Sequence, residues 1–119
     1  MAASDLDHAF AMLRAAATGL PSIEESTSYG TPALKVKGKL LARVKDADTL
    51  VLHCPVEDKA VLIAAAPKIF FETPHYHGYA LVLAHVKTIS AKELKHRIEL
   101  AWRANAPKKL LAALDAERQ

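Results

Sequence analysis

Cysteine is nearly absent from this 119-residue chain, and its single copy, Cys54, excludes an intramolecular disulfide and any multi-cysteine zinc site. Cys54 closes the run Thr49-Leu50-Val51-Leu52-His53, so a buried, inert thiol is expected there. Only four glycines occur, widely separated, too few for a phosphate-cradling loop. Ser26, Thr27 and Ser28 cluster, yet no glycine-flanked serine elbow surrounds them. No apolar stretch approaches the ~20 residues that span a bilayer, so no membrane partner is expected. The segment Met1-Ala2-Ala3-Ser4-Asp5 is polar and acidic where a signal peptide would be basic and then apolar, which points to the cytoplasm.

What is present describes an ordinary globular chain. Apolar residues make up 51% and charged residues 24%, which argues against disorder. The length suits a single domain, residues 1–119, with one core.

Periodicity sets out the elements. Ser4 can cap a first helix, with Asp5 and Asp7 in its opening turn, a stripe of Leu6, Phe10, Leu13 and Ala17, and a stop at Gly19-Leu20-Pro21. Ser22 to Pro32 reads as polar and partly extended, with Glu24-Glu25 a solvated turn. Ala33 to Val44 alternates around Gly38. A three-residue loop, Lys37-Gly38-Lys39, would pair Val36 with Leu40 and Leu34 with Ala42 on one apolar face. Thr49 to Cys54 forms the next strand. Pro55 opens a short helix with apolar contacts from Val56, Leu62 and Ile63, ended by Pro67. Phe70-Phe71 and a run from Tyr79 to Val86 supply two more strands. Ser90 and Glu93 make a capping box for a helix with the stripe Leu94, Ile98, Ala101, Trp102, and Pro107 begins a last helix. The expected fold is therefore α+β and two-layered: an antiparallel sheet with helices on one face, in the order helix, three strands, helix, two strands, helix, and a terminal helix.

Catalytic chemistry finds little footing, and no enzyme activity is expected. His53 and Cys54 are neighbours on a strand and point to opposite faces, so they cannot act as a base and nucleophile pair. His75 and His77 would share a face if extended, but only Glu72 lies close by in sequence, so no metal site and no cofactor are expected. Phe70, Phe71, Tyr29 and Tyr79 read first as residues that close a core.

Charge is more informative. The net charge is +3, but residues 31–45 hold five bases (Lys35, Lys37, Lys39, Arg43, Lys45) and no acid. A hairpin with that outer face suits a phosphate backbone. His75, Tyr76 and His77 would flank it, with a ring available for stacking on a single-stranded base, and Lys108 and Lys109 add a second basic segment. DNA is the expected partner, bound with weak sequence preference by a monomer or weak dimer. A different reading is an interaction module that holds a peptide or small ligand on a sheet face or groove lined by Tyr29, Tyr76, Tyr79 and Trp102.

Particular segments resemble the MmcQ/YjbR family from Leu6 to about Leu111. They are Leu20-Pro21-Ser22-Ile23-Glu24-Glu25, Ser28-Tyr29-Gly30-Thr31-Pro32-Ala33-Leu34-Lys35-Val36, Gly38-Lys39, Trp102 and Ala106-Pro107-Lys108-Lys109-Leu110. The strongest is Phe70-Phe71-Glu72-Thr73-Pro74-His75-Tyr76-His77-Gly78-Tyr79. The resemblance implies a bacterial-type protein with a two-layer α+β fold akin to secretion chaperones and frataxin-like proteins. It also implies a DNA-binding label, with the hairpins as paired wings, and no catalytic residue.

Overall fold

The computed structural model describes residues 3–119, and the expected Ser4 cap and Asp5 charge fall on side chains outside the described ones. The elements are α1 (Ala3–Ala16), β1 (Ile23–Ser28), β2 (Thr31–Val36), β3 (Lys39–Asp46), β4 (Thr49–His53), α2 (Val56–Ala65), β5 (Phe70–Phe71), β6 (Leu81–His85), α3 (Ala91–Asn105) and α4 (Lys108–Glu117), with a single 3-10 turn at Pro74–Tyr76. The strands form one antiparallel sheet in the order β1-β2-β3-β4-β6-β5, so the fold is α+β as expected.

Two local expectations are corrected. Ile23–Ser28 is a full strand, so four strands precede α2 rather than three. It was hidden because this edge strand carries only one large apolar residue, Ile23, and so lacks the alternation that marks a half-buried strand. The turn after it, Tyr29-Gly30, holds both residues at positive φ (52° and 78°), the two-residue geometry that matches strand twist. The β2–β3 connection likewise is a two-residue turn, Lys37-Gly38, with φ of 49° and 78°. It pairs Val36 with Lys39 and Lys35 with Leu40, instead of Val36 with Leu40. A bulge then inserts Leu41 and restores the expected Leu34–Ala42 pair, which keeps the inner face apolar.

The main core lies between the sheet's inner face (Leu34, Val36, Val44, Leu50, Leu52, Val82) and the buried stripes of α1 and α3. Phe10 and Leu13 come from α1. Leu94, Ile98, Ala101 and Trp102 come from α3, as the periodicity indicated. Cys54 is buried in this core. The indole Nε1 of fully buried Trp102 donates to the Pro21 carbonyl at 3.0 Å, tying α3 to the entry of β1. Ser90 Oγ accepts from the Glu93 amide at 3.0 Å. The Glu93 carboxylate does not return the bond and instead takes Arg97 Nε at 2.8 Å, so only half of the expected box forms. Val56, expected to make core contacts, is exposed.

α4 is fastened to α3 through the buried Leu114 and two carboxylates: Asp115 accepts from Arg103 at 2.9 Å, and Glu99 accepts from Arg118 at 2.9 and 3.0 Å and, within α3, from Arg103 at 3.0 Å. The Arg118 bonds first, and then Arg103, hold the Glu99 carboxyl down to about 2 against the opposing effect of desolvation. A folded pKa below the unfolded one stabilises the fold above the ordinary value of 4.5, and that contribution is lost as pH falls toward about 2. Glu99→Gln should therefore lower the melting temperature near neutrality and flatten its decline between those two pH values. Equal acid slopes for the two proteins in thermal melts would exclude this role.

Candidate nucleic-acid interface

The sheet face away from α1 and α3 carries Lys35, Arg43, Val51 and Leu83. Strand alternation puts their neighbours Leu34, Val36, Ala42, Val44, Leu50, Leu52, Val82 and Ala84 into the main core. The aromatic segment folds back over this outer face. Phe70 enters the main core, and Phe71 stacks on His85 with centroids 4.2 Å apart. Tyr76 packs on Val51 and Leu83 and is only 5% exposed.

A buried lysine holds the segment in place. Lys59 donates to the carbonyls of Tyr76 (2.9 Å) and Tyr79 (2.8 Å) and pairs with the Glu72 carboxylate. Glu72 also reaches His77 Nδ1 at 3.2 Å. These contacts, Lys59 foremost and His77 next, lower the Glu72 pKa. The Tyr76 hydroxyl accepts from Arg43 Nη2 at 2.7 Å, and Arg43 Nη1 donates to Thr31 Oγ1 at 3.2 Å. The guanidinium carbon lies 5.3 Å from the centroid of the Tyr29 ring, within cation–π range.

The expected contact residues therefore separate into two groups. Arg43 and Tyr76 are buried and spent on each other, so neither is a free phosphate or stacking contact. His75 and His77 do not alternate on a strand. His75 lies within the 3-10 turn and His77 directly follows it, both exposed, with His75 edge-on to Tyr76 and His77 beside Glu72. Lys37, Lys39 and Lys45 are exposed and Lys35 is half-buried. Lys45 lies 3.7 Å from Asp46, whereas Lys35, Lys37 and Lys39 have no ion-pair partner among the described residues. Lys108 and Lys109 open α4 on the helical layer and do not join this face.

Acids stand closer to the hairpin than the linear count of residues 31–45 suggested. Glu24 sits opposite Lys35 in register, and its carboxylate accepts from the Gly38 amide at 3.1 Å, bracing the turn. Glu25 takes Arg14 in a bidentate pair at 2.9 and 2.8 Å. The pair is thus structural rather than a solvated turn.

The four aromatics expected to line a ligand groove do not converge. Trp102 is in the helical core and Tyr76 is under the outer-face loop, while Tyr79 and Tyr29 point to solvent. Lys59 was missed as a determinant. Its signal was its place on the stripe Lys59, Leu62, Ile63 of α2, a lysine where an apolar residue belongs. Among the described residues, no three His, Cys, Asp or Glu side chains come together as a metal site, and no helix is long and apolar enough to cross a membrane.

An antiparallel sheet backed by helices on one side, with a basic hairpin and an aromatic flap on the other, defines a small two-layer α+β class. Within it the chain belongs to the YjbR family, whose profile matches residues 18–104. An uncharacterized protein of Mycobacterium bovis is 42% identical over 55 residues, which is 46% of this chain and 43% of that protein. Uncharacterized proteins from two strains of Mycobacterium tuberculosis match to the same extent. The match thus spans less than half the length of these curated relatives. No solved structure matches the chain.

Two substitutions separate the parts of the flap. Tyr76→Phe removes the acceptor of a charged hydrogen bond and should cost about 1.5–3 kcal/mol in urea unfolding. Lys59→Met should accelerate amide exchange at His77 and Tyr79, whose amides bond within the 74–79 turn, while the α3 amides stay protected. Unchanged exchange at those two amides would show that the clamp does not hold the flap.

Proposed function

We propose that this YjbR-family protein binds DNA through the β2–β3 hairpin and the adjoining outer sheet face, and that it prefers single strands. The carrying observation is that Lys35, Lys37 and Lys39 lie on and beside a braced two-residue turn with no anion of their own among the described residues. Three ammonium groups so placed can release counterions from a phosphate backbone without first breaking internal ion pairs.

The single-strand preference rests on Tyr29. Its ring is 90% exposed, and its backbone adopts φ of 52°, a left-handed conformation that costs a side-chain-bearing residue about 1–2 kcal/mol. Arg43 supports the ring from below. An aromatic kept in the open at such a cost is suited to stack on an unpaired base, which any sequence offers. Tyr29 and Lys37 stand in the turns at the two ends of β2, a six-residue strand about 20 Å long. That length accommodates about six phosphates at the per-strand spacing of ~3.4 Å. The exposed His75 and His77 lie on the flap beside Tyr76. The modest net charge and the nearby Glu24 agree with weak, sequence-tolerant binding.

Fluorescence anisotropy with labelled single-stranded and duplex oligonucleotides tests this reading. Three contacts to a single strand predict a slope of log K on log salt near −2, or roughly 20-fold weaker binding at 200 mM than at 50 mM salt. Lys37→Glu with Lys39→Glu should remove most of that slope. Tyr29→Ala should weaken single-strand binding by about 1–3 kcal/mol and leave duplex binding nearly unchanged. Binding that ignores both sets of substitutions would refute the assignment.

A further inference from the structure

The sheet ends in two unlike edges. On one side β5 has two residues, and its Phe70 amide already donates to the Ala66 carbonyl at 2.9 Å. On the other side β1 runs for six residues, Ile23–Ser28, and its four central residues are exposed.

Strand alternation fixes what β1 presents to solvent. The Tyr29-Gly30 turn, with both residues at positive φ, makes Ser28 and Thr31 a hydrogen-bonded pair, so Ser26 and Glu24 also bond to β2. Ile23, Glu25 and Thr27 therefore turn their amides and carbonyls to the open side. Pro32 agrees with this assignment, since it stands opposite Thr27 at a pair that needs no amide from it.

An open edge of this length is a template for another strand, and proteins blunt such edges with proline, lysine, bulges or charge. β1 has no proline, no lysine and no bulge in its register with β2. It has two acids, and both are engaged within the protomer. Glu25 holds Arg14 at 2.9 and 2.8 Å, and Glu24 accepts from the Gly38 amide at 3.1 Å. Arg14 thus neutralises one, and the β2–β3 turn draws the other away from the edge.

The order of residues along β1 selects the partner. Acids fill its first half and hydroxyls its second: Glu24-Glu25, then Ser26-Thr27-Ser28. Laid antiparallel to a second copy with the two-fold axis through Ser26, Glu24 falls opposite the partner's Ser28 and Glu25 opposite the partner's Thr27. No like charges then face each other. An axis through Glu25 sets that carboxylate against its copy, and one through Thr27 pairs only three strand residues of each chain. The axis through Ser26 pairs five, and it places Glu25 and Thr27 in hydrogen-bonded pairs that use the free amides.

We infer that β1 is a homodimer interface in which two copies pair β1 with β1, antiparallel about Ser26, and join their sheets edge to edge. A two-fold axis normal to the sheet keeps the outer faces together, so both Tyr29–Lys39 hairpins come to one side. That consequence for nucleic acid rests on the DNA reading, whereas the pairing itself does not. A strand pair of this length is smaller than the ~1,200 Å² of stable interfaces, so monomer and dimer exchange.

The test needs no DNA. Ser26→Cys places two thiols in a non-hydrogen-bonded pair with Cα atoms about 4.5 Å apart, within disulfide reach. Ser28→Cys, on the same face, leaves them about 14 Å apart along the strands. Cys54 is buried and takes no part. With oxidised glutathione, Ser26→Cys should form the disulfide dimer at least tenfold faster than Ser28→Cys. In the unaltered chain, exchange at the Glu25 and Thr27 amides should slow as protein rises from tens of micromolar to millimolar, while the Ser26 and Ser28 amides change little. Thr27→Pro removes an edge amide that β2 does not use, so it should keep the fold by circular dichroism and abolish dimers in sedimentation. Equal cross-linking by the two cysteine variants, or dimers that survive Thr27→Pro, overturns the β1 pairing. A chain that stays monomeric at millimolar concentration, with its edge amides exchanging at one rate throughout, leaves that edge to some other polypeptide and overturns the proposal.

Discussion

The arrangement of the outer face depends on one buried ammonium. Lys59 cannot remain charged and out of water unless its acceptors are in place. The Glu72 carboxylate and the Tyr76 and Tyr79 carbonyls meet that demand together. Satisfying it folds residues 72–79 against the sheet and seats Tyr76 on Val51 and Leu83. The Tyr76 hydroxyl then receives Arg43, and Arg43 in turn underlies the Tyr29 ring. A single helix residue thereby helps place the partner that makes Arg43 of the basic hairpin structural. Arg43 is committed in this way, whereas Lys35, Lys37 and Lys39 have no ion-pair partner among the described residues.

The two faces of the sheet are stabilised in different ways. The inner face is sealed by aliphatic burial against α1 and α3, which is nondirectional and tolerant of the bulge at Leu41. The outer face is covered by a small apolar patch and charged hydrogen bonds, which are directional and require each partner. The edge next to it is a polar strand braced by acids. Glu24 holds the Gly38 amide and Glu25 holds Arg14, so β1 is kept in register by its side chains as well as by its ladder.

Much of this was legible in the residues. The helical stripes of α1 and α3, the burial of Cys54 and the α+β class follow from periodicity, because burial of one face imposes a repeat on the sequence. β1 was not legible, because a strand exposed on both faces has no such repeat. The two-residue turn at Lys37-Gly38 was obscured by its bulge, which shifts the register by one residue while preserving the inside–outside pattern. The site was read less well than the fold. Counting bases along residues 31–45 could not reveal Glu24 across the ladder or Arg43 turned to Tyr76, since both depend on pairing between distant segments. Tyr76 stood out as an aromatic, but whether it faces water depended on Lys59, 17 residues away.

The most direct measurement for the central claim is residue-resolved amide NMR of the protein titrated with a short single-stranded DNA. Graded, salt-sensitive shifts confined to Tyr29–Thr31 and Lys35–Lys39, with Lys108 and Lys109 unmoved, are the predicted result. Shifts that gather instead on α4 or on α2 and α3, or no shifts at low salt, would contradict the account.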